Sequence, residues 1–228
     1  MSVELCTFMY NTFNIILDEG SIINIFLLLL LSSTLFCSEY PYFSEKELID
    51  IKQKDPISMH RIVDYEKSVA SLEHKSMTWQ LNRVNSYLNQ LLPQYDQVIY
   101  NQEDLWSTPK EFLRVGYGDC EDYAIIKYYT LIRLGFDKDK LYITRVTEKY
   151  KGGAHMVLTY FQKEGEAPLV LDNLSFKILT TKQRVDLDIL YFINDTGVYT
   201  MSKTFKLTKV AKEHPKFEEL QKKIQANK

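Results

Sequence analysis

Cysteine, proline and glycine are all scarce in this chain, at 3, 6 and 8 of 228 residues. Three cysteines exclude a disulfide-built scaffold. So few glycines and prolines exclude collagen-like or linker-rich organisation, and no repeat or low-complexity segment is present. An excess of basic charge is lacking too: 28 Lys and Arg stand against 30 Asp and Glu, for a net charge of −2. With no basic patch interleaved with aromatics, nothing favours nucleic acid as a partner. Lysine and arginine are missing altogether before Lys46. The longest apolar run, Ile22 to Leu31, is broken at Asn24 and is too short for a confident membrane span.

What is present is enough hydrophobic residue, 45%, to bury one substantial core. The chain divides into residues 1–38, which have the apolar core and polar end of a secretory signal, and one domain over residues 39–228. The missing basic residues and the lack of a small-x-small cleavage pattern keep an uncleaved membrane anchor open as the alternative. Cleavage near Cys37 or Ser38 would leave Cys120 as the single cysteine. A lone exported thiol cannot form an internal bridge, so it is either inert or kept for chemistry.

Cys120 stands in Gly118-Asp119-Cys120-Glu121-Asp122-Tyr123-Ala124. Gly118 and Asp119 read as turn and N-cap. Ala124, Ile125, Tyr128, Leu131 and Ile132 follow at helical spacing, and Gly135 reads as the stop. A cysteine at a helix start meets unpaired N–H groups and the positive end of the dipole, which favour a thiolate. Its own backbone N–H is a natural oxyanion donor, with Trp106 and Tyr117 as candidates for a second.

A thiolate nucleophile needs a base, and the base needs an orienting group. His155 opens the strand-like run His155 to Phe161, and Asp172 closes a second apolar run, Pro168 to Asn173. The two read as an antiparallel hairpin. A turn centred between Lys163 and Glu164 sets His155 and Asp172 directly opposite one another, about 4.5–5.5 Å apart at Cβ. Each residue alone has a bland reading: a small buried hydrophobe, a satisfied strand histidine, a turn aspartate, and acids that merely complement a helix dipole. Their joint occurrence in the order nucleophile, base, orienter is the stronger signal.

Trp106 to Leu113, Gly116 to Tyr128, His155-Met156-Val157-Leu158 and Leu171-Asp172-Asn173-Leu174 together resemble the bacterial transglutaminase-like cysteine proteinases. Val84-Asn85 with Asn89, and Arg184-Val185-Asp186-Leu187, fit the same pattern over roughly residues 79–200. The resemblance implies that Cys120 is the nucleophile, His155 the general base and acid, and Asp172 the orienting carboxylate. It is similar to the calcium-dependent type of that family, which implies Ca2+ held by Asp119, Glu121 and Asp122. It further implies a periplasmic enzyme that cuts the N-terminal retention region of a large surface adhesin to control biofilm attachment. An inner-membrane cyclic-di-GMP receptor would then be the sequestering regulator. A transglutaminase-type acyl transferase or amidase, and a non-catalytic binding module, are the alternatives.

Elsewhere, Ser44 and Glu47 form a capping box, with Phe43 and Leu48 as its hydrophobic staple. A second helix follows Pro56, and Leu81, Val84, Leu88 and Leu91 form a helical stripe ending at Pro93. Ile189 to Ile193 and Val198 to Met201 read as a strand pair, and Phe217, Leu220 and Ile224 as a tail helix. The expected fold is α+β, papain-like or transglutaminase-like, with a catalytic helix packed on an antiparallel sheet.

Overall fold

The computed structural model describes residues 40–226 apart from 103 and 151. The expected signal segment and its junction near residue 38 lie outside the described residues. Among the described residues no helix is long and apolar enough to cross a membrane.

Three helices come first: α1 (Glu45–Lys54), α2 (Pro56–Ala70) and α3 (Met77–Leu88). The Ser44–Glu47 capping box forms as its spacing requires, with the Ser44 N–H donating to Glu47 at 2.8 Å. Asp55 caps α2 from the position before Pro56, a residue that suits a first helical turn because it has no N–H to satisfy. The stripe ends sooner than its periodicity predicts. α3 stops at Leu88, and Leu91 packs against the core from the turn that follows.

A short parallel pair, β1 (Leu92–Pro93) and β2 (Tyr117–Gly118), brackets α4 (Asp96–Ile99) and α5 (Pro109–Val115). The next helix, α6 (Cys120–Arg133), is buried on nearly every side. It ends where Gly135 adopts φ +89°. The N–H of Gly135 reaches the Ile132 carbonyl, and that of Phe136 reaches Leu131, closing the helix by a Schellman motif. Phe112, Ile125, Ile126 and Leu131 are fully buried around it, each worth roughly 1.5–3 kcal/mol in apolar transfer.

Seven strands follow: β3 (Leu141–Glu148), β4 (Gly153–Tyr160), β5 (Leu169–Asp172), β6 (Ser175–Thr180), β7 (Leu187–Asn194), β8 (Gly197–Met201) and β9 (Leu207–Ala211). They form one antiparallel sheet in the order β6-β5-β4-β3-β7-β8-β9. The last helix, α7, spans Pro215–Ala226. The α+β architecture is therefore as expected, with a helix layer against an antiparallel sheet. The central strand β3 goes unread in the sequence because both of its faces are largely buried, so no polar alternation marks it.

The hairpin register differs from the expectation. Leu158 pairs with Leu171 and Tyr160 with Leu169, which centres the turn between Glu164 and Gly165 rather than one residue earlier. Gly165 supplies a φ of +76° in that turn. The partners are displaced by two residues, so His155 and Asp172 are diagonal rather than opposite. A displacement of two keeps every side chain on its face, whereas a slip of one would have separated them.

Candidate active site

His155 and Asp172 meet across that diagonal. The ring Nε2 lies 2.8 Å from Asp172 Oδ1, and both side chains are buried. Asp172 is completely shielded from solvent, yet it is held as a carboxylate. Burial works against ionisation, but the bond to His155, the histidine's charge, the Leu174 N–H at 3.0 Å and Arg184 outweigh it and lower the group to about 2. Arg184 Nη2 stands 2.8 Å from the second carboxylate oxygen and also forks onto Asp186. Because Asp172 accepts, His155 donates from Nε2–H, leaving the Nδ1 lone pair as the ring's basic site.

Cys120 is the first residue of α6, as its sequence context predicts. The backbone of Met156, the neighbour of His155, favours the thiolate at this sulfur. The thiol itself points to Glu121 Oε2 at 3.2 Å. Burial pushes the thiol up, and the charges of Glu121 and Asp119 push the same way against the Met156 backbone. The expected favouring of the thiolate by the helix start thus meets an opposing field from the carboxylates beside it.

Those carboxylates are arranged differently from the sequence expectation. Asp119 occupies the N-cap position, but its side chain makes no capping hydrogen bond. It turns instead toward Glu121 and Asp96, and one ligand oxygen from each of these three residues lies within 4.8 Å of the others. Asp119 Oδ1 and Asp96 Oδ1 are buried without a hydrogen-bond partner. Burial first, then Glu121, raises Asp119 to about 10, and burial raises Asp96 and Glu121 as well.

Asp122, the third expected metal ligand, stands outside this group. Its Oδ1 accepts from the Ser107 N–H at 2.9 Å, and its Oδ2 lies where a side chain on Gly118 would come within 2.4 Å. It braces the loop before α5 and requires glycine at 118.

An all-oxygen set of three converging carboxylates, two with orphaned buried oxygens, fits a hard divalent cation and not a soft one. The third member of this converging group is Asp96 and not Asp122. It is 23 residues from Asp119 and is brought there by α4, with the Leu105 N–H donating to its other oxygen. Only its acidity marks it in the sequence. Of the two aromatics considered for the oxyanion, Trp106 is committed elsewhere: its indole faces Asp104 and stacks on His214, ring centres 5.6 Å apart. Tyr117 is exposed on β2.

The family model of the bacterial transglutaminase-like cysteine proteinases matches residues 59–185. Among solved structures, calcium-bound LapG of Legionella pneumophila aligns with a TM-score of 0.69 at 33% identity, covering 80% of this chain and 99% of that one. EGTA-treated LapG of the same organism gives a TM-score of 0.69 at 33% identity over 80% of this chain and 98% of that one. No curated protein matches the sequence.

Proposed function

The chain belongs to the bacterial transglutaminase-like cysteine proteinases, and from that premise we propose that it is an exported endopeptidase working through Cys120, His155 and Asp172. The buried 2.8 Å bond between His155 and Asp172 carries the reading.

The chemistry follows from these groups. His155 Nδ1 takes the thiol proton while Asp172 holds the opposite nitrogen and stabilises the imidazolium. The sulfur attacks a peptide carbonyl, and the oxyanion is met by the backbone N–H of Cys120, one of the unpaired donors of the α6 start. As the C–N bond breaks, the amine leaves with the proton from His155, and a thioester remains. His155 then deprotonates water, which attacks the thioester and returns the thiol.

Asp96, Asp119 and Glu121 would hold calcium, which would neutralise the carboxylate that the thiol now faces and fix the loop presenting Cys120. Support comes from the orphaned oxygens and from the calcium-bound and EGTA-treated states of the related LapG. The substrate in this proposal is the N-terminal retention region of a large surface adhesin, cut in the periplasm near a pair of small residues such as two alanines. The regulator is an inner-membrane cyclic-di-GMP receptor that sequesters the enzyme.

The test is cleavage of such an adhesin fragment with calcium, with a chelator and with Cys120→Ala. Cleavage lost in both of the latter is the expected result. Cleavage that survives chelation would remove calcium from the proposal and leave the triad, and cleavage by Cys120→Ala would end the triad assignment.

A further inference from the structure

Lys127 lies on α6, seven residues after Cys120, and is fully buried. A lysine there is costly, since an ammonium away from water needs compensation. Burial draws it down to about 7, opposed only by the charge of Asp172. Its Nζ donates to Asn85 Oδ1 at 2.8 Å, and the Tyr123 ring lies 5.9 Å away.

Asn85, on α3, is equally buried, and its Nδ2 donates to the Ser175 carbonyl at 2.9 Å and more distantly to Phe176 at 3.4 Å. One helical turn on, Asn89 Nδ2 donates to the carbonyls of Asp172 at 2.7 Å and Ser175 at 3.0 Å. These carbonyls bound the turn between β5 and β6. Within it, the Asp172 carboxylate accepts from the Leu174 N–H, so carboxylate and turn backbone move as one unit.

In its charged form Lys127 can only donate, and its Nζ does donate to the Asn85 carbonyl oxygen. Facing Asn85, it selects one of the two amide orientations, the one that presents Nδ2 to Ser175. A hydrophobe at 127 would leave that amide free to flip. We propose that Lys127 is a positioning residue for the hydrolytic triad: through Asn85, with Asn89 alongside, it fixes the turn at residues 172–175 so that Asp172 presents its carboxylate to His155. Arg184 holds the second carboxylate oxygen. The proposal rests on the assignment of His155 and Asp172 to the catalytic machinery. It gives a role to Asn85 on α3 and to Asn89 at its C-cap.

Lys127→Met removes the ammonium. Asn85→Asp keeps an acceptor for Lys127 but withdraws the amide donor from Ser175, so a merely structural lysine stays satisfied. Three readouts are needed: the melting temperature, kcat and KM on the adhesin fragment, and the downfield proton resonance of the His155–Asp172 hydrogen bond, which needs no substrate. Both variants are expected to lose or shift that resonance and to lower kcat about 10- to 100-fold with KM within about twofold. Asn85→Asp should do so with a smaller fall in melting temperature than Lys127→Met. An Asn85→Asp protein that keeps the resonance and kcat overturns the proposal, as does Lys127→Met losing only thermal stability. If the wild type cleaves no adhesin fragment while the resonance still depends on Lys127 and Asn85, the positioning role stands and the proteolytic substrate is wrong.

Discussion

Asp172 and Asp119 carry the same side chain in the same domain, and their surroundings drive them in opposite directions. Asp172 is fully buried and sits among donors: a histidine, an arginine and a backbone N–H, with the Lys127 ammonium within electrostatic reach. Asp119 is partly buried and sits among acceptors: Glu121, Asp122 and Asp96. One falls to about 2 and the other rises to about 10. Burial cannot be the difference, because it opposes charge at both. The teaching is that the half of the site bearing His155 is electrostatically closed by the protein itself, while the half bearing Cys120 is left short of a cation.

The hardest blow to the closed half is Asp172→Asn. It should lower kcat on the order of 10^3- to 10^4-fold by removing the group that orients and balances His155. It leaves Arg184 and Lys127 without their shared anion, so a stability loss of about 3–5 kcal/mol should appear in denaturant titration. A fall smaller than about tenfold in kcat would mean that the histidine does not depend on this carboxylate.

The open half should respond to calcium instead. At a hundredfold excess over Kd, a site present only in the folded state adds about 2.7 kcal/mol, or roughly 5–10 °C in Tm for a domain of this size. Scanning calorimetry should show that rise in the wild type, none in Asp96→Asn or Glu121→Gln, and a retained rise in Asp122→Asn. Equal responses from Asp96 and Asp122 variants would restore the acid set expected from sequence.

The two aspartates also predict opposite pH slopes. Asp172 is depressed in the fold, so its contribution, ~2 kcal/mol, is present above the ordinary carboxylate value near 4 and is lost as pH falls toward about 2. Asp119 is raised, so between about pH 4 and 10 the folded state binds more protons than the unfolded one, and calcium-free stability falls as pH rises. Calcium should flatten the second slope and leave the first. A single slope of one sign, unaltered by calcium, would break the comparison.

The smallest effect is the control. Lys149 and Asp188 pair at 2.9 Å on the surface, with the aspartate 63% exposed. Asp188→Asn should change stability by no more than about 0.5 kcal/mol, since water does most of what the partner does.

Local signals made much of this legible before any coordinates. The Ser44–Glu47 box, the Pro56 helix start and the Gly135 stop are written within a few residues, and each forms as its spacing implies. The pairing of His155 with Asp172 depended on parity alone, which survived a turn centred one residue off. Asp96, Arg184 and Lys127 had no such signal. Arg184 sits in a quoted motif, but its reach to Asp172 depends on the connection between β6 and β7. Asp96 arrives through α4, and Lys127 looks like one more polar residue in a helix whose burial on all sides the sequence does not announce. Of the two aromatics considered for the oxyanion, Trp106 is held in a stack with His214, a contact across more than a hundred positions that no local pattern announces.

That stack has a consequence at a distance. Residues 104–108 lend Leu105 to Asp96 and Ser107 to Asp122, and they are themselves clasped from far along the chain. His214 lies on Trp106, and Lys216 pairs with Asp104 at 2.9 Å, 112 positions away. Contacts of such long sequence separation must repay their loop-closure entropy before they stabilise the loop. Cys120, His155 and Asp172 all precede in the sequence the residues that clamp this loop. The acid-rich half is therefore tied to the start of α7, and a change that loosens that helix reaches the loop carrying Leu105 and Ser107.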